Sequence, residues 1–427
     1  MRVSIVDLSR RPLEPVVVHR HRHAPVRHAD GSLRWDWSTL VAHARRGLAL
    51  AADHGTLASI GVDTWGLDYG LLDAGGRLVA PPFSYRDARL EAWRTVADRI
   101  GPRHMYDISG IQLMSGNTLF QLALHDRDEL SRARHVLMLP ELLLHELCGV
   151  VLAERTSAGT TALVDLATGE WSPELVDAIG ADRSWFPEIQ TAGALVGDHH
   201  GTPVHLVGGH DTASAVLAMG ADPGSDAVFL SAGTLFLVGR ETTTACTDDD
   251  CFERNLSNEP GAYGGIRLLG NLQGMWLLEE CRRLWGEAST ADLLTTIDTS
   301  DDTAPIFDVN DPTLVAPDDM VASVSRLAGL RSDASRTSIV ASIVESLATA
   351  VAQSVDRLSL DATPQRLVAF GGASQAAPLI ERIGARSGLE VRLGPSEATT
   401  LGNALSQGIT LGVFADVTAA RNALAPV

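Results

Sequence analysis

At 427 residues the chain is longer than one ordinary hydrophobic core serves, and it reads as two domains, 1–219 and 220–427. With 45% apolar and 20% charged residues its composition is that of a soluble globular protein, and a net charge of −19 argues against a nucleic-acid surface. All 34 basic residues are arginines, which excludes the lysine-dependent Walker loop, the protein-kinase strand lysine and any Schiff base.

The first residues, MRVSIVDLSRRPLEP, lack the apolar segment of a signal peptide, and no apolar run looks long enough to span a bilayer. The expected location is therefore the cytoplasm, with no membrane and no nucleic-acid partner. HRHRHAPVRH gathers His19, His21, His23 and His28 without a Cys or acidic cluster beside them, and reads as a solvated strand end more than a metal site. PLEPVVVHRH predicts a strand. Ser38 is expected to cap a helix running to about Ala52, with Gly55 just past its end. LASIGVDTWGLDYGLLDAGGRLV predicts a strand and then a hairpin turning at residues 73–76. Helices follow around residues 89–101, 117–124 and 140–147, the last opened by Pro140.

LVGGHDTASAV, residues 206–216, runs an apolar strand into two glycines, then His210 and Asp211, then a helix of small residues. Past the Gly/Asp/Pro-rich MGADPGSDAVFL, AVFLSAGTLFLVGRE predicts two strands around a turn at 231–234. GMWLLEECRRLW predicts a helix headed by Asn271, with Trp276 and Trp285 in the core. Residues 301–320 are acidic and irregular, and a helix over about 337–358 carries the apolar stripe Ile339, Ile343, Leu347, Val351 and Val355. RLVAF then enters Gly371-Gly372, followed by helix, strand LEVRL and helix ATTLGNALSQGITLG. Strands alternating with helices make the fold class α/β. Of Cys148, Cys246, Cys251 and Cys281, only Cys246 and Cys251 are close and no second pair at zinc spacing accompanies them, so the four read as reduced thiols rather than a disulfide framework.

Three glycine-containing turns thus stand at strand ends, at 208–211, 231–234 and 371–372. Small residues there let a phosphate or a sugar approach the backbone. Asp211 is either a helix cap or a base with room around it. Phosphoryl transfer needs such turns, plus a carboxylate that takes the attacking hydroxyl's proton.

GVDTWGLDYGLLD, YRDAR, SGIQ with NTLFQL, GHDTASAV, SAGT, NLQGMWLLEECRRLW, and GGASQ with GPSEATTLGNAL occur in that order from about residue 2 to 412. Together they resemble the FGGY family of sugar kinases, and within it the kinases of L-rhamnulose. The resemblance implies two ribonuclease-H-like domains of the actin-like ATPase superfold with a cleft between them. It also implies ATP and Mg2+ as cofactors, a ketose as partner substrate, and a monomer or homodimer. By position, Asp211 matches the general base; His210, Thr212, Gly66 and Asn271 match sugar contacts; Gly233 and Thr234 match the phosphate hairpin; and Gly371 and Gly372 match the nucleotide turn, with Gln375 beside it. Trp65 either walls the sugar or packs under the hairpin. Asp63 and Asp68 either bind sugar or water-bridged Mg2+ or hold the turn. Arg86 and Asp87 are expected to form a supporting buried pair.

The pattern departs from the family at several positions. VDL at 6–8 is followed by SRRP, where the family has a Ser/Gly-rich phosphate turn. The register fits better with Arg2-Val3 at the end of that motif, which leaves the first strand and phosphate turn out of the sequence. Two expectations follow: a start downstream of the natural one, or a sugar-binding relative without turnover. Glu279 stands where a Gln often meets ATP, Gly270 where Lys is common, and Glu141 where Asp is usual.

Overall fold

The computed structural model describes residues 1–219, 225–287, 289–297, 303–315, 317–360 and 363–424. The chain divides into two compact units. The first gathers three segments, Met1–Gly220, Thr243–Arg267 and Thr399–Pro426, and the second comprises Ala221–Thr242 and Leu268–Ala398 with the last residue.

In the first unit the strands named here come in two-stranded pieces. Arg2–Val6 pairs antiparallel with Pro15–Arg20, Tyr69–Leu72 with His135–Met138, and Leu195–His199 with Thr202–His205. The helix Trp37–Ala52 lies on the first of these pieces, so closely that a Cβ on Gly47 would run into the Val3 side chain. Its cap is Asp36, whose carboxylate accepts from Thr39 N–H at 3.1 Å, and Ser38 lies inside the first turn. The expected strand before the hairpin is reduced to single bridges, Ile60 to Val204 and Thr64 to His210. The hairpin turn itself forms at Asp73, whose N–H and C=O pair with Arg77 and Gly76. Helices at Trp93–Ile100, Thr118–Ala123 and Leu139–Cys148 stand where apolar spacing predicts them.

The second unit is built on strands in the order Ile266–Gln273, Leu235–Thr242, Ala227–Ala232, Arg366–Phe370, Glu390–Leu393. The Ala227–Ala232 hairpin is antiparallel, whereas Arg366–Phe370 and Glu390–Leu393 join in parallel through crossovers. The helix Arg336–Arg357 buries the whole predicted stripe from Ile339 to Val355. By length and a mean hydropathy of 1.4 this helix is apolar enough to cross a membrane, contrary to the reading of the sequence, but 67% of the apolar window is buried within the fold. Trp276 and Trp285 are half-buried rather than core, since Leu277, Leu278 and Cys281 take the inward face of their helix.

Two of the thiols are not free. Cys246 and Cys251 form a disulfide with Cα atoms 6.0 Å apart, while Cys148 and Cys281 remain thiols. Five-residue spacing around the short helix Asp249–Glu253 brings the pair together, which corrects the reading of all four cysteines as reduced thiols.

Candidate active site

Asp211 opens the helix Asp211–Leu217, after Gly208, Gly209 and His210 have followed the apolar run 204–207. Its position is fixed through the backbone. Thr64 N–H donates to Gly209 C=O at 2.9 Å, and Asp211 N–H donates to Thr64 C=O at 2.8 Å. These bonds stitch the DTWG loop to the GHDT turn, bringing Asp63, Trp65 and Gly66 beside His210, Asp211 and Thr212. The Asp211 side chain keeps 42% of its surface exposed, while His210 keeps 9%. Thr212 is buried and donates its hydroxyl to Asp211 Oδ1 at 3.2 Å. The carboxylate is therefore no mere cap, because helix N–H groups do not consume it.

A layer of buried polar groups holds this turn from below. Glu154 Oε2 accepts from Gly209 N–H at 2.8 Å and from Thr156 N–H at 2.8 Å, and the Thr156 hydroxyl accepts from His210 N–H at 3.1 Å. A Cβ at 209 would stand 3.0 Å from that carboxylate oxygen, so a larger residue there would press on Glu154. Glu141 Oε1 accepts from Glu154 N–H and from the Ser157 hydroxyl, and burial pushes its carboxyl up to about 8. Folded, Glu141 keeps a proton that the unfolded chain, with its ordinary value of 4.5, releases. The stability it contributes is full below about 4.5 and is lost as pH rises through about 8. Glu141→Gln removes that dependence, so its melting temperature should fall less than the parent's between pH 6 and 8; superimposable melting–pH curves would refute this.

The DTWG loop is held just as closely. Leu67 takes a left-handed φ of 77°, a costly conformation for a leucine. It is fastened by the Thr118 hydroxyl and the Gln121 amide, which donate to Leu67 C=O at 2.7 and 3.0 Å. Asp68, fully buried, accepts from the indoles of Trp35 (2.7 Å) and Trp65 (3.0 Å) and from Gln121 (3.1 Å). Burial pushes Asp68 up to about 6 against those three donors. This carboxylate holds the turn. Asp63 is different: Asn403, on the helix Ala398–Thr410, donates to its Oδ2 at 2.6 Å. Burial raises Asp63 to about 7, opposed by that amide and furthered by the neighbouring charge of Asp211. Asp87 caps the next turn and forms its ion pair with Arg89 at 3.3 Å, where the sequence reading paired it with Arg86.

In the second unit the glycine turns also converge. Gly233 and Thr234 form the tip of the hairpin between Ala232 and Leu235, and their carbonyls accept from Met275 and Trp276 N–H. Gly371, at φ 91°, packs so closely on Ala232 that a Cβ would stand 2.7 Å from its carbonyl, whereas Gly372 faces open space. Gln375 is exposed and belongs to a 3-10 turn, Gly372–Gln375, which precedes the helix Ala377–Ser387. Asn271 lies within the strand Ile266–Gln273, ahead of its helix rather than at its head. Glu279, at the position where a Gln often meets ATP, is paired with Arg282 at 2.9 Å.

Sequence reasoning missed the supporting groups: Glu154, Thr156, Asn403, and the buried pair of Glu259 and Arg267 at 3.0 Å. Charged residues inside apolar strand patterns, as in NEP and IRLL, were the available signal.

The two-unit fold is that of sugar kinases. It aligns with a ligand-bound xylulose kinase from Lactobacillus acidophilus at a TM-score of 0.79 and 15% identity, covering 96% of this chain and 86% of that one. A Plasmodium falciparum glycerol kinase with ADP aligns at 0.73 and 16%, covering 97% and 88%. Residues 19–222 match the N-terminal domain, and 228–411 the C-terminal domain, of the FGGY family of carbohydrate kinases. The chain belongs to this family, an enzyme class that phosphorylates carbohydrates with ATP. Among its relatives are rhamnulokinases from Bacteroides thetaiotaomicron, 36% identical over 92% of this chain and 84% of the relative, and from Enterococcus faecalis, 32% identical over 95% and 86%.

Proposed function

We propose that the protein transfers the γ-phosphoryl group of ATP to the 1-hydroxyl of L-rhamnulose, giving L-rhamnulose 1-phosphate and ADP. Asp211 accepts the alcohol proton as the sugar oxygen attacks phosphorus and the bond to ADP breaks. The observation that carries this reading is the half-exposed carboxylate of Asp211 at the head of the helix Asp211–Leu217, with His210 and Thr212 on either side of it. The rhamnulokinase relatives supply the choice of sugar.

His210, Thr212, Gly66 and Trp65 serve the sugar; the Trp65 N–H is engaged by Asp68 and its ring is stacked on His23 and tilted against Trp35, so the indole belongs to an aromatic cluster beside the turn. Gly233, Thr234, Gly371, Gly372 and Gln375 serve the nucleotide, and Asn271 the sugar. Mg2+ is held by one or two carboxylates together with substrate phosphates. Asp68 has both oxygens taken by Trp35, Trp65 and Gln121, so Asp63 is the carboxylate that suits it. A cation there would draw a proton off the raised Asp63 carboxyl and offset phosphate charge. Steady-state assays over L-rhamnulose, L-fuculose and D-xylulose with product identification test the reading: preference for L-rhamnulose with phosphate at O1 supports it, and preference for another ketose overturns it.

A further inference from the structure

The strand Ser257–Pro260 and the following segment bring two opposite charges to the back of His210. Arg267 is completely buried, and Glu259 nearly so. Their charged groups lie 3.0 Å apart, Arg267 Nη2 to Glu259 Oε2, and Arg267 Nε also donates to Pro260 C=O at 3.2 Å. Both charges reach the same atom of the imidazole. Arg267 Nη2–H is aimed at His210 Nδ1 at 3.3 Å, and Glu259 Oε2 stands 3.3 Å from that nitrogen without hydrogen-bond geometry. On the far side of the ring, Nε2 faces Asp211 Oδ1 at 3.5 Å.

A guanidinium only donates, and it does not lose its proton in a protein. A ring nitrogen that accepts from it must present a lone pair. The ring's single hydrogen then sits on the other nitrogen. Glu259 balances the charge of Arg267, so the pair behind the imidazole carries no net charge. We infer that Arg267, neutralised by Glu259, is a positioning residue that locks His210 as the Nε2–H tautomer, so that a neutral donor faces Asp211 and the sugar alcohol. In that state His210 can orient the acceptor sugar without placing a second positive charge beside the base. The role in turnover rests on the reading of Asp211 as the base; the tautomer does not.

The two are separated by experiment. Two-bond 1H–15N spectra of the full-length chain labelled at histidine, above the imidazole titration range and with His210→Asn to assign the signal, report the tautomer directly. The wild-type ring is expected to carry hydrogen on Nε2 alone. A signal with hydrogen on Nδ1, or on both nitrogens, overturns the inference whether or not any variant folds. In Arg267→Met, Glu259 is left as the only partner of Nδ1, so hydrogen should move to that nitrogen. kcat should then fall on the order of 10²-fold, the cost of about 1 Å of misplacement at a reacting centre, with a smaller change in the sugar KM. Arg267→Lys, which restores a cationic donor, should return the Nε2–H pattern and part of the kcat. A folded Arg267→Met variant with unchanged tautomer and kcat would also overturn it. Full activity in Asp211→Asn would remove the base assignment and leave the wild-type spectrum standing.

Discussion

Asp211→Asn is expected to yield a folded protein that still binds sugar and nucleotide but turns over about 10² to 10⁴ times more slowly, the share that a positioned base contributes. The substitution preserves shape and a hydrogen-bond acceptor for the Thr212 hydroxyl, and the side chain is 42% exposed, so little packing is disturbed. What it removes is a group that can take a proton from the sugar alcohol. Because the backbone N–H of residue 211 is held by Thr64 and not by its own side chain, the turn should keep its geometry. Coupled measurement of ADP release, alongside calorimetric sugar binding, checks both halves. An undiminished rate would reject the assignment; lost binding with a collapsed fold would reject the reading that the turn is held through its backbone.

The second large effect is one of packing. Gly402 of the helix Ala398–Thr410 lies against the backbone of Ser214, three residues beyond Asp211 on the helix Asp211–Leu217. A Cβ at 402 would fall inside the van der Waals envelope of the Ser214 carbonyl, which is backbone and cannot swing aside. Overpacking ordinarily costs about 1–3 kcal/mol, and a backbone obstacle belongs at the upper end of that range. Gly402→Ala should therefore melt several degrees lower and lose activity, since separating the two helices displaces Asp211 and draws Asn403 away from Asp63. A variant that melts and turns over like the parent would show that the helices do not approach this closely.

Much of the candidate site's local geometry could be read in the sequence, for a physical reason. Asp211, His210, Thr212 and Gly66 sit in short words whose glycines and turns fix local geometry, so neighbours in sequence are neighbours in space. Helices with a strong apolar stripe, such as Arg336–Arg357, were equally legible. Groups whose partners lie far along the chain were not. Asn403 and Asp63 are 340 residues apart, and Arg267 and His210 are 57 apart, and no periodicity marks either pair. Ser38 lost the capping role to Asp36 because two acceptors stand two residues apart and only the backbone path chooses between them. The disulfide escaped for a similar reason, its loop being closed by the helix Asp249–Glu253. Between Ile60 and Thr64 the β-rich pattern was right about extended backbone but wrong about a full ladder, because only isolated residues find a partner.

The first unit draws on three stretches of chain, the last beginning at Thr399. On a ribosome adding about 5–20 residues per second, Asp63 emerges tens of seconds before Asn403 is made. Until then Asp63 lacks its amide, and the helix bearing Asp211 lacks the neighbour it leans on. A nascent polypeptide thus holds this first unit unfinished until the stretch that begins at Thr399 has been made.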